Sequence, residues 1–270
     1  NKVGIPGGLR LSYATLGAFT KYPKGSIPKK PSSHIKDKKF GFFEPQNVFF
    51  QEVANELGMK INDKEFFRHP LAFLVEAADD ICYTLIDFED GINLGWINEE
   101  FALEYLIRLV KGSIDTKKYN SLEHKSDRVA YLRALSVNTL INDATEIFIK
   151  NEDAILNGEY SRSLLDNSIY KAQMKDILDI SIEKVYNSEE VVEKELKGYQ
   201  VINHLLNVFI KAAVNNQKNQ TTAFDKLALA CIPKSYIHKD GDLYIQLLDI
   251  SCFIASLTDG KALEWYKKMN

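Results

Sequence analysis

Cysteine, methionine and tryptophan are scarce in this chain, with three, three and two copies in 270 residues. The cysteines (Cys82, Cys231, Cys252) stand far apart inside apolar helical patterns. That excludes a disulfide framework or a cysteine-based zinc cluster, and implies buried thiols in a reducing cytoplasm. The five histidines (His34, His69, His124, His204, His238) form neither an HxxxH nor a His-Asp pair, so the chain cannot build a histidine-rich metal site alone. No apolar run approaches the length that spans a bilayer, and no signal peptide opens the sequence. Neither sign of charge dominates: 34 lysines and arginines face 37 acids, for a net charge of −3. A broadly basic nucleic-acid surface is thereby excluded, although a local basic patch is not. Also missing are a glycine-rich phosphate loop, a nucleophile elbow, a repeat of fixed period, and any strand-length alternation of Val, Ile or Thr with polar residues.

What is present is helix. Leu9 to Thr20 reads as one, stopped by Lys21-Tyr22-Pro23, because Pro23 disfavours helical geometry in Tyr22. Residues 24–39 read as a loop with six lysines, either mobile or used for binding. A second helix runs from about Pro45 to Leu57 with Gly58 as its cap. Others are predicted near 98–111, from Ser126 to about Lys150, at 166–186, 188–215, 221–230 and 240–256, and from Asp259 to the end. In the helix from Ser126, the residues Val129, Leu132, Leu135, Leu140, Ala144, Ile147 and Phe148 supply a buried face. A short hairpin or loop is left for 112–122. The fold class is all-α, and 270 residues suffice for one large helical domain. The opening Asn1-Lys2-Val3-Gly4-Ile5-Pro6-Gly7-Gly8 reads as the interior of something longer.

One helix carries chemistry. Pro70 suits a first helical position, and Leu71, Leu74, Val75, Ala78, Ile81, Cys82 and Leu85 recur at three- and four-residue spacing, with Gly91 as a C-terminal stop. Asp79, Tyr83 and Asp87 then fall at i, i+4 and i+8 on one stripe beside the apolar one. Asp79 is either a solvated helix acid or a metal ligand or catalytic group. Burial of an unpaired acid costs several kcal/mol, which is the reason to look for chemistry there. Asp80 points about 100° further round and reads as a solvated or ion-paired partner. Tyr83 and Asp87 form a polar strip able to read a sugar hydroxyl or a base, or else belong to an ordinary amphipathic interface. Lys21 at a helix end is favoured by the helix dipole in any case, and the lysines that follow are solvated charge or contacts for a polyphosphate. His69, just before Pro70, reads as a cap.

The string EAADDICYTLIDFEDG at 76–91 closely resembles the HD-superfamily deoxynucleoside triphosphate triphosphohydrolases, the dGTPase-like enzymes. Stretches at 9–23, 128–148, 196–206 and 248–269 agree in the same order, so the resemblance covers nearly the whole chain. It implies an HD-type helical architecture, with 1–111 completing a catalytic region and 112–270 forming a helical C-terminal region. It also implies a divalent metal ion, Mg²⁺ or Mn²⁺, with Asp79 as the last of four ligands. Tyr83 and Asp87 match positions that contact the deoxyribose, the tyrosine against its 2′ carbon and the aspartate on its 3′-hydroxyl. Lys21 and Tyr22 match a pair near the triphosphate and sugar, with Lys29 and Lys30 behind them. Arg128 and Arg133 stay open between the pocket and a neighbouring subunit. The implied reaction is hydrolysis of a dNTP, dGTP foremost, to deoxynucleoside and inorganic triphosphate, in a cytoplasmic homo-oligomer.

The departure from the family pattern is as informative. The upstream histidine, the His-Asp doublet and the catalytic His and Glu are missing, and the resemblance places them upstream of Asn1. The 270 residues alone are therefore expected to be inactive. Two other readings remain: a phosphohydrolase acting on a different nucleotide, and a non-catalytic helical module for nucleotide binding or assembly.

Overall fold

The computed structural model describes residues 10–27, 39–62, 65–237 and 242–270. Helix α1 (Tyr13–Phe19) begins at Ser12, whose hydroxyl accepts from the Thr15 N–H at 3.2 Å. It thus starts later than the apolar pattern implied, since an N-cap serine satisfies an otherwise orphaned donor. A turn of 3₁₀ helix containing Pro45 leads into α2 (Asn47–Glu56). Two short antiparallel strands follow, β1 (Lys60–Asn62) and β2 (Glu65–Phe66), which the sequence pattern did not reveal. They are held by Phe66, packed edge-on against Phe50 at 5.1 Å, with Phe42 stacked on Phe50 at 4.3 Å.

Helix α3 (Pro70–Asn93) is the spine of this part of the molecule. His69 caps it, its Nδ1 accepting from the Leu71 N–H at 3.2 Å, and Pro70 takes the first turn. Its buried face is Ala72, Phe73, Glu76, Ala77, Ile81, Thr84, Leu85, Phe88, Gly91 and Ile92. Only Ile81 and Leu85 of the apolar stripe read from the sequence belong to it; Leu71, Val75, Ala78 and Cys82 are exposed. The helix is apolar on two faces, so periodicity alone could not rank them. Gly91 is not the stop either. The chain turns at Gly95, whose φ of +76° suits a residue without a Cβ.

Helices α6 (Lys125–Lys150) and α8 (Lys171–Ser181) pack on α3, and α4 (Glu99–Val110) packs against both. Phe88, Leu106, Leu109, Leu132, Leu140 and Ile177 are almost fully buried at the centre, each contributing roughly 1.5–3 kcal/mol of transfer free energy. The segment expected as a hairpin or loop instead holds α5 (Thr116–Ser121), capped by Asp115, which accepts from the Lys117 and Lys118 N–H groups. A short α7 (Glu152–Leu156) follows α6. After α8 the chain continues as a π-helical turn, Ile182–Tyr186.

The chain divides into two compact units after Ser188. The second unit comprises α9 (Glu189–Gln217), α10 (Ala223–Ala230), α11 (Leu243–Ala255) and α12 (Asp259–Met269). Val201, Leu205, Phe209, Ile250, Phe253 and Ala262 form its core, with Trp265 packed on it. The architecture is all-α. No helix among the described residues is long and apolar enough to cross a membrane. The three cysteines expected to be buried are exposed: Cys82 faces out from α3, Cys231 sits past the end of α10, and Cys252 lies on the outer side of α11.

Candidate functional site

The exposed face of α3 forms one wall of an open cleft of about 700 Å³, lined by Val75, Ala78, Asp79 and Cys82. The opposite wall is the end of α1 and the chain beyond it, with Phe19, Lys21, Tyr22 and Phe40. Of the two readings left open for Asp79, its exposure is that of a solvated helix acid: its side chain is 66% exposed. The Lys21 ammonium meets its carboxylate in an ion pair, across 58 residues of sequence. Two residues singled out separately, at a helix end and in a helix middle, thus face each other, with Tyr22 beside them. The helix has ended at Phe19 with Thr20 as its C-cap, so Lys21 and Tyr22 lie on the chain past it, where Pro23 disfavours helical geometry in Tyr22.

Tyr83 and Asp87 continue along α3 but do not line that cleft. Tyr83 lies on a neighbouring groove of about 430 Å³ with Asp80, Thr84, Ser163, Asp166, Met174 and Lys171. Its ring is 55% exposed. Asp87 is half-buried and accepts a 2.6 Å hydrogen bond from the hydroxyl of Tyr186. The Tyr186 ring lies 5.8 Å from that of Tyr83, tilted by 32°. Burial, followed by hydrogen bonding to Asp87 and Tyr83, pushes the Tyr186 phenol above its usual range, so it stays a proton donor. Nothing in the local sequence flagged Tyr186. It stands 99 residues from Asp87, and only the return of the chain through α8 and the π-turn joins them.

Other candidates are placed elsewhere. Arg133 pairs with Glu89 at 2.6 Å, and the Arg128 Nε donates to the Leu122 carbonyl at 3.0 Å, so neither lines the cleft. Lys29 and Lys30 lie outside the described residues. His69 serves α3 as a cap, and burial lowers the pKa of its imidazole. Among the described residues no three His, Cys, Asp or Glu side chains come together as a metal site. Among the described residues that line the cleft, Asp79 is the only carboxylate. It now holds the ammonium of Lys21, so its surroundings already accommodate positive charge.

Sequence comparison narrows the class. A deoxyguanosinetriphosphate triphosphohydrolase-like protein of Synechocystis is 32% identical over 271 residues, covering 98% of this chain and 60% of that protein. One from Listeria monocytogenes is 31% identical over 294 residues, covering 97% and 60%. A deoxyguanosinetriphosphate triphosphohydrolase of Yersinia pestis is 30% identical over 220 residues, covering 74% and 43%. No family model matches the chain. These relatives support assignment of the 270 residues to the dGTPase-like family. The chain spans about 60% of the length of the first two of these relatives.

Proposed function

We propose that these residues form part of a metal-dependent dNTP triphosphohydrolase, with dGTP the first substrate to test. The observation that carries this reading is the cleft in which Lys21 and Tyr22, just past α1, meet Asp79 of α3. A divalent ion would be held here by Asp79, with its remaining ligands supplied from outside these residues. Such an ion, when bound, would acidify a water and polarise a phosphate. Lys21, released from Asp79, has a compact ammonium suited to a triphosphate oxygen. Tyr22, which lines the same cleft, would border the sugar. Tyr83, on the next groove, would crowd a 2′-hydroxyl, and Asp87, one turn further along α3, would accept from a 3′-hydroxyl. Water attack at the α-phosphorus would break the bond to the 5′ oxygen and release deoxynucleoside and inorganic triphosphate. Homo-oligomeric assembly and a cytoplasmic location belong to the same proposal and rest on the family resemblance.

The test uses the gene product with whatever sequence flanks these residues. It is incubated with each dNTP and Mg²⁺ or Mn²⁺, and the products are separated by anion exchange. Triphosphate and deoxynucleoside are expected from the parent, and Asp79→Asn should lower the rate by at least about a hundredfold, as losing a group that engages the metal does. In the same assay Tyr83→Ala should admit ribonucleotides that the parent rejects. Monophosphate or pyrophosphate as product would move the chain to another class of phosphohydrolase. No turnover from a folded parent would favour a nucleotide-binding module.

A further inference from the structure

The π-helical turn at Ile182–Tyr186 lies against α3 one helical turn beyond Asp87. A Cβ on Gly91 would meet the Val185 side chain at 2.6 Å and that of Ile97 at 2.8 Å, so the two segments approach as closely as a glycine permits. Gly91 is four residues past Asp87, on the stripe that carries Asp79, Tyr83 and Asp87. The extra residue that widens a π-turn shifts the following side chain round the axis. Here the result is that Tyr186 meets both members of the polar strip. Its hydroxyl occupies Oδ2 of Asp87, and its ring packs on Tyr83. Among the described residues Asp87 takes no other hydrogen bond, so one carboxylate oxygen stays available.

We infer that Tyr186 is a positioning residue for sugar recognition: it fixes the Asp87 carboxylate and the Tyr83 ring in the arrangement that reads a 3′-hydroxyl. This rests on the sugar assignment under the proposed function and adds to it a residue that no spacing on α3 reveals. A carboxylate on a helix samples several rotamers. A donor at 2.6 Å holds one of them and prepays the ordering that a ligand would otherwise supply. The phenol does this without adding a charge that a triphosphate would feel.

The experiment measures binding of dGTP and 2′,3′-dideoxyGTP to parent and Tyr186→Phe by calorimetry, with divalent metal chelated so that turnover does not intrude. A hydrogen bond to a charged group is worth on the order of tenfold or more in affinity, and the parent should prefer dGTP by that factor. Tyr186→Phe keeps the ring against Tyr83 and should leave dideoxyGTP affinity within about twofold while most of the 3′-hydroxyl preference disappears. A variant that keeps the full preference, or weakens both ligands equally, would overturn the inference. So would a parent blind to the 3′-hydroxyl. A parent that shows the preference yet releases no triphosphate would leave the role of Tyr186 standing and remove the hydrolase reading.

Discussion

Arg68 and Glu76 form an ion pair of 2.8 Å whose side chains are only 3% and 7% exposed, and the guanidinium also lies 4.5 Å from the Phe73 ring centre. Both charges are out of water, so each depends on the other. Removing one partner of a buried pair costs about 3–5 kcal/mol because the remaining charge stays desolvated. Glu76→Gln should therefore lower unfolding free energy by that amount, read by urea denaturation at neutral pH. Arg133→Gln breaks a pair that is more open to solvent, and should cost about 1 kcal/mol or less. Equal losses in the two variants would show that burial is not what separates them. The pair was not legible in the sequence. Arg68 precedes the helix and Glu76 lies within it, so no helical spacing joins them. Asp79 and Tyr83 drew attention as polar residues in an apolar helix; Glu76 met the same criterion and is the acid that is in fact buried.

At the scale of elements, α3 and the π-turn behave as one unit because Gly91 lets them touch. Gly91→Ala forces a methyl into a contact already at its limit, and overpacking of that kind costs typically about 1–3 kcal/mol. The expected result is a loss of that size in chemical denaturation, accompanied by a weaker 3′-hydroxyl preference, since Tyr186 is displaced with its turn. Unchanged stability would mean that the turn shifts freely. Reading Gly91 as a helix stop was reasonable from the sequence, because glycine ends many helices. A glycine inside a helix is distinguished from one at its end only by what packs on it. The same limit explains α3 as a whole: its period was legible, but which apolar face met the core was not.

For the whole molecule, the division after Ser188 has a direct consequence. Residues 189–270 contain their own core, with Phe209 and Phe253 edge to face at 5.5 Å, and an α10 capped by a Thr222–Asp225 box. Expressed alone, they are expected to be helical by circular dichroism and to melt cooperatively. Hydrogen exchange should then be slow across 201–213 and fast across 192–200, which is exposed throughout. A non-cooperative melt would show that this core needs the rest of the chain. The boundary is hard to see in sequence, because the π-turn and α9 follow one another with only Asn187 and Ser188 between them, and no proline or glycine cluster marks the change.

The amino-acid order by itself determined the helical class, the positions of most helices and the resemblance to the dGTPase-like relatives, since these depend on local periodicity and on a continuous string around Asp79. It also marked Lys21, Tyr22, Asp79, Tyr83 and Asp87 as residues worth following. Tertiary structure decided which of them share a cleft, joining Lys21 to Asp79 and separating both from the groove of Tyr83. It decided the exposure of Asp79 and of the cysteines, and it brought in Tyr186. Periodicity records the face of a helix on which a residue lies; what that face meets depends on segments tens of residues away, through contacts that leave no local signal.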